Sequence, residues 1–141
     1  MFDPSRNHVL IVDDSASVRD SLALFLKVSG YEVSTAANGL EALALMKREI
    51  PAVLLSDLYM PEMSGFELLA IVRQQFPKLP IVAMSAAHET RDAIPGGVTA
   101  DAFYAKGHGN LRFLLRVLSV MTGFRAAPAA DDPARSKPFI N

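Results

Sequence analysis

Five residues of this chain have the types needed for metal-assisted phosphoryl chemistry. They are the adjacent carboxylates Asp13 and Asp14, the carboxylate Asp57, the hydroxyl of Ser85 and the ammonium of Lys106. Three carboxylates brought together repel one another, and their pKa values rise unless a cation sits among them. A hard divalent ion with oxygen ligands relieves that repulsion. Mg²⁺ suits best, because it needs only one or two carboxylates and keeps several of its waters. A metal so held neutralises an incoming phosphoryl group and stabilises its transfer. Lys106 then supplies a second counter-charge, and the Ser85 hydroxyl donates a hydrogen bond to a phosphate oxygen. Asp57 is left as the nucleophile, a carboxylate that forms an acyl phosphate.

For these residues to act together, the fold must bring together positions spread over nearly the whole chain. The apolar runs Val9–Val12, Val33–Ala37, Ala52–Leu55, Ile81–Met84 and Ala102–Tyr104 read as strands. Three of them are continuous rather than alternating, which fits strands buried on both faces of a parallel sheet. Helical segments lie between. Ser15 can cap the first, whose Val18, Leu22, Phe25 and Leu26 share a face, and Gly30 ends it. Leu40–Arg48 is the second. Ser64, with Glu67 three residues on, opens a third as a capping box, continued by Phe66, Leu69, Ala70 and Val72 to Pro77. His88–Ile94 is a weak fourth candidate, broken early by Pro95-Gly96-Gly97, and the last helix spans about His108–Met121. The order is (βα) five times, which argues for a doubly wound α/β sheet.

In such sheets ligands bind beyond the carboxyl ends of the strands. Asp13 and Asp14 follow the first strand, Asp57 the third, Ser85 the fourth and Lys106 the fifth. Singly, each has a plainer reading: Asp and Ser after a strand often cap a helix, and a lone lysine is usually a solvated surface residue. Their joint placement at four strand ends carries the chemistry.

The bulk properties narrow the field. The 141 residues suffice for one domain, half of them are hydrophobic and 21% are charged, as in a soluble globular protein. The net charge of −1 gives no general attraction to nucleic acid or acidic membranes. The chain has no cysteine, so disulfides and thiolate chemistry are excluded. The N-terminus lacks a signal-peptide pattern, and no apolar run is long enough to span a bilayer. A reducing cytoplasm is the expected location.

At residues 7–122 the sequence resembles a receiver domain of the response-regulator family of two-component signalling. The likeness rests on Val9-Leu10-Ile11-Val12-Asp13-Asp14, on Ser56-Asp57-Leu58-Tyr59-Met60-Pro61 with Gly65, on Met84-Ser85-Ala86 and on Phe103-Tyr104-Ala105-Lys106. It implies a flavodoxin-like five-stranded parallel sheet of order 2-1-3-4-5 with helices on both faces. It implies that Asp57 takes a phosphoryl group from a sensor histidine kinase or a histidine phosphotransfer protein. By the same likeness Asp14 and Asp57 ligate Mg²⁺ directly, Asp13 acts through a water, and the Tyr59 backbone carbonyl completes the protein ligands. Ser85 and Lys106 read the phosphate, with Ser85 and Phe103 as the switch pair. Tyr104, next to Phe103, points to the other face of its strand.

The departures from the family pattern are local. Gly107 stands where a proline usually follows the lysine, often after a cis peptide. A cis bond before a non-proline residue costs roughly 3 kcal/mol, so a trans Lys106–Gly107 bond is expected. The broken fourth helical candidate alters a surface through which many receivers report their state.

The expected organisation is a receiver domain over residues 5–123 and a disordered tail over 124–141, rich in Ala, Pro and charge. With no second domain to follow, the chain reads as a stand-alone receiver or as one cut from a larger regulator. It modifies only itself, binds no DNA and no membrane, and hands its signal to a downstream protein or passes the phosphate on in a relay. On the last helix Leu111, Leu114, Leu115 and Leu118 form a core stripe, and Phe113, Val117 and Val120 a second one. That second stripe points to a homodimer through the fourth and last helices and the fifth strand, or to cover by the chain itself. The Tyr59 ring is placed to shield an acyl phosphate from water; the plainer reading is a surface tyrosine. Two other classes compete. An aspartate-nucleophile phosphatase usually carries a second Asp two residues after its nucleophile, where this chain has Tyr59. A phosphate-independent scaffold predicts degenerate acidic positions, and here all five site positions are filled.

Overall fold

The continuous apolar runs become strands with no exposed residue. A computed structural model describes residues 7–85, 100–106 and 110–124. In it β1 (His8–Val12), β3 (Val53–Asp57) and β4 (Ile81–Ser85) are buried at every position. The edge strands β2 (Glu32–Ala36) and β5 (Ala102–Ala105) are only partly buried. All neighbouring strands are parallel and the order is β2-β1-β3-β4-β5. The resemblance implied this order.

Strand alternation divides the core into two layers. Leu10, Val12, Leu54, Ile81 and Ala83 face α2 (Gly39–Arg48) and α3 (Gly65–Gln75). Val9, Ile11, Val53, Leu55, Val82 and Met84 face α1 (Ala16–Val28) and α4 (Leu111–Thr122). Phe103 packs on the first layer and Tyr104 is buried in the second, so the two aromatics of β5 take opposite faces as expected.

The helix starts follow from side-chain caps. Ser15 Oγ accepts from Val18 N and Asn38 Oδ1 from Glu41 N, each satisfying an orphan first-turn donor. At α3 the capping box is complete: Ser64 Oγ accepts from Glu67 N at 3.2 Å, and Glu67 Oε1 from Ser64 N at 3.1 Å. Within α3 the core face is Leu68, Leu69 and Val72, while Ala70 is exposed.

The last helix, expected from about His108, starts at Leu111. Asn110 caps it by accepting from Arg112 N at 2.8 Å. Its core stripe is Leu114, Leu118 and Thr122, and Leu111 lies at the rim, 37% exposed. In the second stripe Phe113 and Val120 are exposed, and Val117 rests partly on the core. The helical candidate His88–Ile94, the Lys106–Gly107 bond and the tail beyond Phe124 lie outside the described residues. Among the described residues no helix is long and apolar enough to cross a membrane.

Candidate functional site

The carboxyl ends of β1, β3, β4 and β5 meet at one edge of the sheet. The β1–β3 pairing ends at Val12 and Ser56. Beyond it the two strands present Asp13 and Asp57, both almost wholly removed from solvent, with Asp14 exposed beside them. One carboxylate oxygen from each of the three lies within 4.8 Å of the others. Ser85 is fully buried at the end of β4, and its carbonyl accepts from Lys106 N at 2.8 Å. The five residues singled out by type and spacing thus stand at one edge.

Lys106 closes the cluster in a way the sequence did not reveal. Its Nζ lies 3.0 Å from Asp13 Oδ2 and 3.3 Å from Asp57 Oδ2, bridging two buried carboxylates. Burial works against the Lys106 ammonium, but the hydrogen bonds and charges of Asp13 and Asp57 outweigh it and hold its pKa above the usual lysine value. Burial also raises the pKa of Asp57, and the nearby Asp13 charge adds to this; Lys106 and the Tyr59 N–H work against it. That N–H donates to Asp57 Oδ1 at 3.4 Å. A concavity of about 260 Å³, lined by Ser17, Val18, Ser21, Leu22, Tyr104 and Lys106, opens the ammonium to the α1 side.

The donor set fits a hard divalent cation. Three carboxylates against one ammonium leave two formal negative charges within the cluster. All the donors are oxygens, as Mg²⁺ or another hard ion requires. The Asp13, Asp14 and Asp57 carboxylates are the residues that could hold it.

Two neighbours make the geometry possible. Gly65 opens α3 directly beneath the end of β3, and its N donates to Leu58 O at 2.9 Å. A Cβ there would collide with the Asp57 carbonyl oxygen and stand 2.5 Å from Leu58 Cα. Only glycine allows this approach. Arg19, which sequence reasoning passed over, donates from Nη1 to the Asp13 carbonyl at 2.8 Å. A signal was present: it is a cation near the start of α1, whose first turn carries no acid, and the helix dipole disfavours a positive charge there.

Fold and site together define an open parallel α/β domain with an acidic crevice of Asp13, Asp14 and Asp57 at its carboxyl edge. Residues 9–105 match the response regulator receiver domain family. Response regulator Rre1 of Synechocystis is 39% identical over 102 residues, covering 70% of this chain and 44% of that protein. A probable transcriptional regulator, ycf27, of Porphyra purpurea is 34% identical over 117 residues, covering 82% of this chain and 48% of its own. The chain spans about half the length of these two relatives. Among solved structures, the chemotaxis protein CheY4 of Vibrio cholerae aligns at 36% identity and TM-score 0.73, covering 81% of this chain and 97% of that one. A putative response regulator from Chloroflexus aurantiacus aligns at 31% identity and TM-score 0.76, covering 84% and 98%. This chain belongs to the response regulator receiver domain family of two-component signalling.

Proposed function

We propose that Asp57 is the phosphoacceptor of this receiver, taking a phosphoryl group from the phosphohistidine of a sensor kinase or a histidine phosphotransfer protein. The observation that carries the reading is the clustering of Asp13, Asp14 and Asp57 oxygens within 4.8 Å, with Lys106 Nζ 3.3 Å from Asp57. An Asp57 carboxylate oxygen attacks phosphorus, the P–N bond breaks, and the imidazole leaves with the electron pair and takes up a proton. The product is an acyl phosphate on Asp57.

Asp14, Asp57 and the Tyr59 carbonyl would hold Mg²⁺, with Asp13 acting through a water. The ion would neutralise charge on the transferring phosphoryl group. Lys106, already paired to Asp57, is placed to exchange that carboxylate for a phosphate oxygen. Ser85, at the end of the neighbouring strand, would donate its hydroxyl to the phosphate. Its movement, with rotation of Phe103, would change the outer surface of β5 and the last helix. That surface would engage a downstream protein or a second copy of the chain, in the cytoplasm. Residues 5–123 form the receiver on this reading, and the only covalent chemistry is on the chain itself.

Incubation with a small phosphodonor and Mg²⁺ tests this by intact mass. A gain of one phosphoryl group that requires Mg²⁺ and disappears in Asp57→Ala is expected. An unmodified wild-type protein, or undiminished modification of the variant, would overturn the reading.

A further inference from the structure

We propose that Arg19 is a positioning residue for the metal site, acting through the backbone of Asp13 and not through its charge. This rests on the divalent-cation reading of the cluster. The Asp13 carbonyl lies one residue beyond the last β1–β3 pair, past the end of that ladder. Arg19 Nη1 takes it at 2.8 Å. Every polar group of Asp13 is then engaged. Its N donates to Ala36 O at 3.1 Å, Oδ1 accepts from Ser15 N at 2.9 Å, and Oδ2 from Lys106 at 3.0 Å. Asp13 is wholly buried, so with Arg19 in place its carbonyl has the guanidinium and not water as its partner, and losing that bond costs the buried group its partner. The arginine bond pins the turn from β1 into α1, and that turn carries Asp14 to within 4.8 Å of Asp57.

The placement of Arg19 runs against two local preferences. A cation near a helix N-terminus opposes the dipole, and a cation beside a cation site repels the ion it should help to hold. Breaks of local rules of this kind are expected at functional sites. They also separate two roles by sign. If Arg19 acts only as a charge, its removal strengthens Mg²⁺ binding. If it positions Asp13 and Asp14, its removal weakens binding, as loss of an outer-shell partner of a metal ligand does.

The test is calorimetric titration of the full 141-residue chain with Mg²⁺ alone, with no phosphodonor. Arg19→Met, which keeps the aliphatic stem, should lower the Mg²⁺ affinity about tenfold, near the low end of the outer-shell range. Arg19→Lys, which keeps the charge and a donor group but loses the planar guanidinium fork, should fall between Arg19→Met and wild type. Circular dichroism without metal should show both variants folded, and should Arg19→Met not fold, Arg19→Lys decides alone. Unchanged or increased affinity in a folded Arg19→Met overturns the proposal, and where that variant does not fold, wild-type affinity in Arg19→Lys overturns it. Failure of the underlying reading looks different: the wild-type chain itself would bind no Mg²⁺, or Asp13→Asn would bind it as tightly as wild type.

Discussion

Asp57→Asn should make the metal-free protein more stable. The Asp57 side chain is 6% exposed and has Asp13 and Asp14 oxygens within 4.8 Å. At an effective dielectric of about 20, unit charges 4.8 Å apart repel by about 3.5 kcal/mol. Lys106 at 3.3 Å attracts by about 5 kcal/mol on the same basis. Asp14 is exposed, so its share is screened to a fraction of the Asp13 value. The Coulomb contributions therefore nearly cancel, and the burial cost of the charged form decides the sign. That cost is the leading reason the Asp57 pKa is raised. Asparagine keeps the shape and discards the buried charge, for an expected gain of about 1–2 kcal/mol in urea unfolding near neutral pH with EDTA.

The pH dependence of that gain follows from linkage. A carboxyl whose folded pKa is raised favours folding most when protonated, and that benefit is lost as pH rises through its folded value. The advantage of Asp57→Asn should thus vanish at pH below the ordinary aspartate value of 3.8 and grow as pH rises above it. Added Mg²⁺ should stabilise wild type far more than the variant. An Asp57→Asn protein no more stable than wild type in EDTA near neutral pH would refute the reasoning.

Other substitutions probe the supports of the site. Gly65→Ala forces a Cβ into the Asp57–Leu58 backbone and should cost at least about 2 kcal/mol by thermal or urea unfolding. Ser64→Ala removes half of the α3 capping box and should cost about 1 kcal/mol while leaving phosphorylation intact. Tyr59 stands edge-on to Phe66, with ring centroids 5.3 Å apart. If its ring shields the acyl phosphate, Tyr59→Ala shortens the phosphate lifetime several-fold while Tyr59→Phe does not. Equal lifetimes in all three proteins would remove that role.

The sheet was legible because strands buried on both faces leave continuous apolar runs, and β1, β3 and β4 do. The site was legible because polar residues that end such strands share one edge; Asp13, Asp57, Ser85 and Lys106 all do so. The sequence could not place what depends on three-dimensional approach. The sequence marks Lys106 as a partner for phosphate; it does not show that the ammonium also bridges Asp13 and Asp57, which are far from it along the chain. Gly65 appeared as a motif letter, with no hint that it lies against the Asp57 carbonyl. Leu111 fits the apolar period of the last helix yet sits at its exposed rim, because Asn110 starts the helix there and only the later turns reach the core.

The central claim is that Asp57 itself carries the phosphate, and borohydride trapping tests it most directly. Borohydride reduces an acyl phosphate on aspartate to the alcohol, so peptide mapping of the treated protein locates the modified residue. After incubation with a small phosphodonor and Mg²⁺, Asp57 should be recovered as homoserine, with Asp13 and Asp14 unchanged. Reduction at Asp13 or Asp14, or a stable phosphate on a serine or histidine with Asp57 intact, would contradict the account.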